Sequence, residues 1–128
     1  MLVAVMLTIA TTAAVAHHSI AGVYDSQSSV TVDGVVSEFH FVNPHPFVIV
    51  LADGDGHPET WKVELDNRFE LVDAGMTADT LKPGDRITAR GSKARDGSRS
   101  IYALRIERPA DRFLMEQVGN SPKIGRTR

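Results

Sequence analysis

The chain has 128 residues, a formal net charge of −2 and no cysteine. Lacking cysteine, it has no disulfide framework, thiolate metal site, cysteine nucleophile or lipid-modified cysteine. Arg108, Arg112, Lys123, Arg126 and Arg128 outweigh Asp111 and Glu116, so residues 108–128 carry +3 and residues 17–107 carry −5. An acidic body argues against nucleic acid as a partner, because that affinity comes mostly from Lys and Arg on phosphates.

Residues 1–16 are apolar and uncharged, and they end in Ala14-Val15-Ala16. That small-residue pattern is one a signal peptidase cuts after, so the segment reads as a signal peptide, although it lacks the usual positively charged start. A membrane span needs about 20 apolar residues; this run has sixteen, three of them threonine. Cleavage predicts a periplasmic or secreted protein with no membrane span left and one domain's worth of chain. It also makes His17 the new N-terminus.

Residues 17–29 are polar and read as an extended N-terminal arm. Strand signals begin at Val30, where Val30, Val32, Gly34 and Val36 alternate with Thr31, Asp33, Val35 and Ser37 and continue through Phe39 and Phe41. Asn43-Pro44-His45-Pro46 then breaks the pattern, since two prolines so close do not fit a central strand. Phe47-Val48-Ile49-Val50-Leu51 is apolar on both faces and predicts a strand buried on both. Asp53-Gly54-Asp55-Gly56 is a turn. Thr60 to Leu65 alternates again, with Trp61, Val63 and Leu65 against Lys62 and Glu64.

The period then changes. Asn67 caps a short helix whose apolar side is marked by Phe69, Leu71 and Val72, with Gly75 as its stop. Leu81-Lys82-Pro83-Gly84-Asp85 is a tight turn with Pro and Gly at its centre. Strands follow over Arg86 to Ser92 and Ser100 to Glu107, joined across Arg95-Asp96-Gly97-Ser98, where Asp-Gly is a hairpin signal.

Three strands, a helix and two strands (β-β-β-α-β-β) is the order of an all-β, five-stranded OB-like barrel with one short helix, here over residues 30–108. An open five-stranded sheet with one covering helix has the same order. Gly34 and Gly91 fall where barrel strands must bend. Residues 109–128 read as a solvated basic C-terminal tail.

The histidines are His17, His18, His40, His45 and His57. A terminal His17 offers its α-amine and its Nδ1, which close a six-membered chelate ring on one metal. With reference pKa values near 8 for the amine and 6.5 for imidazole, both deprotonate near neutral pH. Such nitrogen donors favour copper(II), with nickel and zinc behind. His45 is the candidate partner ligand, because flanking prolines stiffen the backbone that presents it. His18 is a weaker candidate for the same ion, since adjacent side chains on an extended arm point apart. The plain alternative is that a leader must end somewhere, and that His45 hydrogen-bonds an arm carbonyl across the corner.

The remaining motifs are weaker. Glu38 and His40 share a strand face and make an acid–base pair only if something shields them. His57 sits in a turn. Asp53, Asp55 and Glu64 have calcium-loop spacing, but Pro58 stands where that loop requires glycine. Trp61, Phe39, Phe41 and Phe47 suit a stacking platform, yet aromatics at such positions are more often core. No Ser-His-Asp spacing, phosphate-binding glycine loop or His-Glu-x-x-His is present, so no enzyme is expected.

Together, Ala16-His17-His18-Ser19, the strand Val30-Thr31-Val32-Asp33-Gly34-Val35-Val36 and Asn43-Pro44-His45 resemble a group of small exported bacterial proteins catalogued as a domain of unknown function. Trp61 with Glu64-Leu65, Leu81-Lys82-Pro83-Gly84-Asp85 and Ala94-x-Asp96-Gly97-Ser98 fit the same pattern. The resemblance covers nearly all of the chain after the leader. It implies a periplasmic OB-like domain and supplies no catalytic residue. The expectation is therefore an exported module binding copper through His17, His45 and His18. Its alternative is a metal-free module for a small ligand, peptide or partner protein.

Overall fold

The computed structural model describes residues 19–128; the leader expected at residues 1–16, His17 and His18 lie outside the described residues. A short helix α1 (Ser19–Val23) leads into the long strand β1 (Tyr24–His40), then β2 (Phe47–Asp53) and β3 (Pro58–Glu64). After these come helix α2 (Arg68–Asp73) and strands β4 (Arg86–Ala94), β5 (Ser100–Arg108), β6 (Phe113–Val118) and β7 (Ser121–Arg126). The strands lie in the order β3-β2-β1-β4-β5-β6-β7. β3 also pairs parallel with β5 through Lys62, Val63 and Glu64. That pairing closes β1, β2, β3, β5 and β4 into a ring, the OB-like barrel, and rules out the open sheet.

Alternation builds the barrel interior. Val48 and Val50 of β2, Val63 of β3 and Ile101, Ala103 and Ile106 of β5 are all fully buried. The outer face of β2 is not buried: Phe47 and Ile49 are partly covered and Leu51 is 43% exposed. A closed ring covers only the inner face of a strand, so the two-sided burial expected for β2 does not occur.

α2 starts where the sequence places it. Asn67 Oδ1 accepts the Glu70 N–H at 2.9 Å, and Gly75 ends the helix at φ 101°. Its apolar side is narrower than expected. Leu71 is buried, but Phe69 is 80% and Val72 48% exposed, because six residues present little more than one side chain to the barrel. The Pro83-Gly84 turn forms, with Gly84 at φ 94° and the Asp85 N–H on the Lys82 carbonyl at 3.0 Å.

Gly91 sits at a register shift between β4 and β5 that leaves Leu104 without a partner on β4. A Cβ on Gly91 would strike the Tyr102 carbonyl oxygen, so only glycine lets the two backbones approach this closely. Gly34 meets β2 at Leu51 in the same way.

Both chain ends depart from expectation. The strand begins at Tyr24, not Val30, with Tyr24 opposite Ala94 and Asp25 opposite Lys93. Backbone pairing at Tyr24, Asp25 and Ser29, on either side of a register shift, anchors this polar stretch, which side-chain hydropathy does not report. Residues 109–128 are not a frayed tail. β6 and β7 form a hairpin on β5, with Met115 fully buried and Phe113 8% exposed. Lys123 and Arg126 are exposed on that hairpin, and the run's basic charge masked the alternation of Phe113 and Met115.

Candidate functional site

The Asn43-Pro44-His45-Pro46 corner links β1 to β2 and is stitched to the link between β3 and α2. The Leu65 N–H donates to the Pro46 carbonyl at 2.8 Å, and the Arg68 N–H donates to the Pro44 carbonyl at 2.9 Å. The Asn43–Pro44 peptide is cis. These bonds fix the backbone on both sides of His45. Its Nδ1 lies 3.1 Å from the Leu65 carbonyl oxygen. A carbonyl only accepts, so Nδ1 is the donor and the neutral ring keeps its lone pair on Nε2. A histidine that ligates a metal commonly has this arrangement. His45 does donate to a backbone carbonyl, as the plain reading had it, but that carbonyl belongs to Leu65 rather than to the arm.

His45 borders a cleft of about 590 Å³ at this end of the barrel. Asp66, Asn67 and Glu70 come to it from the start of α2, and Tyr102 and Leu104 from β5. Gln117 and Asn120 come from the terminal hairpin, and Ile20 from α1. Neither Lys nor Arg lines it among the described residues, so its fixed charge is that of two carboxylates.

Asp66 is fully engaged. Its Oδ1 accepts the Asn67 N–H at 2.6 Å and its Oδ2 accepts Gln117 Nε2 at 2.8 Å. Tyr102 accepts a longer bond from Gln117 at 3.4 Å. Burial pushes the Tyr102 hydroxyl well above the usual phenol range, and the charges of Asp66, Glu70 and Glu64 push it further. Tyr24, tilted against Tyr102 at 6.0 Å, is likewise raised to about 12, mainly by burial. Its hydroxyl donates to Glu64 at 2.7 Å. Both phenols therefore remain protonated, neutral hydrogen-bonding groups at physiological pH.

Of the metal ligands expected from the sequence, His45 lies in this cleft, while His17 and His18 lie outside the described residues. Ile20 of α1 lines the same cleft as Pro44 and His45. Three residues of chain reach at most about 11 Å, which bounds the distance of the His17 backbone from Ile20. Among the described residues, no three His, Asp or Glu are grouped to hold a metal ion.

The other candidates fall elsewhere. His40 Nε2 and Glu38 Oε2 are 2.5 Å apart and both exposed, with the imidazole stacked on Phe47 at 4.5 Å. His57 is exposed in the turn before β3. Phe39, Phe41 and Trp61 pack against the barrel core rather than forming a platform. Asp66, Glu70, Tyr102 and Gln117 were not singled out from the sequence. A signal was present in Asn67-Arg68-Phe69-Glu70, which has the spacing of a capping box.

A closed five-stranded ring with a side cleft defines an OB-type barrel domain. The chain matches the family of unknown function DUF6152 over residues 5–103 and belongs to it. No curated protein matches. Among solved structures, it is similar to the mitochondrial single-stranded DNA-binding protein Rim1 of S. cerevisiae, with a TM-score of 0.50 and 14% identity. The match covers 64% of this chain and 93% of that one. At that identity the likeness shows the fold alone. No described helix is long and apolar enough to cross a membrane.

Proposed function

We propose that this is an exported copper-binding protein whose metal sits at the mouth of the cleft. The His17 α-amine and Nδ1 and the His45 Nε2 hold it. The observation that carries this reading is the shared cleft: Ile20, three residues after His17, and His45 line one space. The Leu65 carbonyl turns the His45 lone pair to Nε2. Three nitrogen donors of this kind suit copper(II) above zinc. His18 is the weaker of the three candidate ligands.

The test starts from the full chain, exported so that its leader is removed, with the terminus verified by mass spectrometry. Copper(II) is titrated into this protein and into one carrying one extra residue before His17. The extended protein binds more weakly, because its first nitrogen pair is lost. Equal affinities would sink the terminal chelate.

A second reading rests on the cleft's size, since about 590 Å³ falls within the roughly 300–1,000 Å³ of small-molecule sites. In that reading the protein is a metal-free module for a small polar ligand, peptide or partner. Retention of a ligand after chelator treatment supports it. Single-stranded DNA, which the yeast protein binds, suits this chain less, since residues 17–107 carry −5.

A further inference from the structure

We infer that the cleft holds a small organic ammonium ion, with its charged head on Glu70 and its apolar body along Leu104, Pro44 and Ile20. This rests on the metal-free reading above and names its ligand class; no metal takes part in it.

The charge of the lining comes first. Asp66 and Glu70 bring two carboxylates, and neither Lys nor Arg lines the cleft among the described residues. An anion entering it meets like charge and no fixed cation. The two carboxylates are not equivalent. Asp66 is 9% exposed and satisfied within the protein, because Oδ1 accepts the Asn67 N–H and Oδ2 accepts Gln117 Nε2. Glu70 is the reverse. Its Oε2 is buried and, among the described residues, accepts no hydrogen bond.

The start of α2 explains the difference. In a capping box the acidic residue at the third helical position reaches back to the N–H of the cap residue. Here Asn67 Oδ1 takes the Glu70 N–H, but the Asn67 N–H donates to Asp66 instead. Glu70 is left without its usual donor. A buried carboxylate without a partner is costly, and a bound cation offsets that cost. Lys123 shares a separate hollow with Glu70, between α2 and β7, and is the chain's own rival for it.

The rest of the lining selects an organic cation over a bare one. Among the described residues, no three His, Asp or Glu are grouped to hold a metal ion. An ammonium needs less, since its three N–H donors can be met by a carboxylate, an imidazole nitrogen and a hydroxyl. His45 has the nitrogen, because its Nδ1 is committed to the Leu65 carbonyl and Nε2 is left to accept. Tyr102 has the hydroxyl. Ile20, Pro44 and Leu104 add apolar wall, and Leu104 is 39% exposed. About 590 Å³ leaves room for an organic body beyond the charged head.

The test uses the full chain after chelator treatment and three matched probes: 2-phenylethylamine, 2-phenylethanol and phenylacetate. Calorimetry measures binding, and proton–nitrogen NMR shifts locate it. The amine is expected to bind about tenfold or more tighter than the alcohol, with phenylacetate weakest, and to shift the Gln117 and His45 side-chain signals. Glu70→Gln is expected to bring the amine down to the alcohol, while the ligand-free thermal midpoint holds or rises. Lys123→Ala is expected to leave amine binding equal or tighter. If amine and alcohol bind alike in the cleft, the ammonium assignment is wrong and the small-ligand cleft stands. If Glu70→Gln keeps the preference for the amine, Glu70 does not hold the head and the assignment falls. If no probe binds, or the shifts lie away from the cleft, the small-molecule reading falls with it.

Discussion

The barrel interior and the cleft beside it share β5 and obey opposite rules. Inside, Val50, Val63, Ile101 and Ala103 come from alternation along single strands and leave nothing unsatisfied. At the cleft, Asp66, Tyr102 and Gln117 come from three different elements, and one carboxylate oxygen of Glu70 stays buried without a partner. An apolar interior needs only side chains of suitable size and period. The cleft keeps fixed charge at a cost in stability, and a fold tends to retain such a cost where it binds something.

The largest expected effect breaks the interior. Ile101→Ala should cost about 2–5 kcal/mol of unfolding free energy, as large-to-small changes do at fully buried sites. Met115→Ala should fall in the same range, because β6 belongs to the same core. Chemical denaturation measures both. A cost under about 0.5 kcal/mol at Met115 would return residues 109–128 to a solvated tail.

Gly91→Ala probes the seam between the two regions. The new methyl meets the Tyr102 carbonyl oxygen, so β4 and β5 must separate where β5 turns Tyr102 and Leu104 to the cleft. The expected cost is about 1–3 kcal/mol, with a change in the near-ultraviolet signal of Tyr102. An unchanged stability would show that the close approach is relaxed in solution.

Asn67→Ala tests the cap of α2, whose first residue is bonded to the His45 corner. It should cost about 1 kcal/mol, and copper affinity should fall with it if the helix start positions a ligand. Loss of stability with full retention of copper affinity would separate the cap from the site.

The smallest effect belongs to neither region. The Arg108 guanidinium holds the Asp111 carboxyl at about 2, below its ordinary 3.8. A depressed folded value stabilises above the ordinary one and is lost as pH falls through the folded one. Thermal midpoints should therefore drop between about pH 4 and pH 2, and Asp111→Asn should shallow that drop. An identical acid profile in the variant would remove Asp111 from the account.

The barrel was legible in the sequence because its signals are local. Alternation in β1 and β3, the Asn67 cap and the Pro83-Gly84 turn each lie within a few residues. The terminal hairpin was missed although Phe113 and Met115 alternate and Gly119-Asn120 is a two-residue turn signal. Charge composition outweighed both. The start of β1 was missed because Tyr24 and Asp25 pair with Ala94 and Lys93 beyond a polar register shift that carries no hydropathy signal. Half of the candidate site was readable, since His45 stands between two prolines. The other half was not, because residues from Ile20 to Asn120 meet only after the ring closes.

The most direct test is a crystal structure of the processed protein grown with copper(II). The account places His17 and His45 on one ion, with each ligating nitrogen about 2 Å from the metal. An ordered arm with the two imidazoles more than about 8 Å apart would contradict it, and the shared site would have to be abandoned.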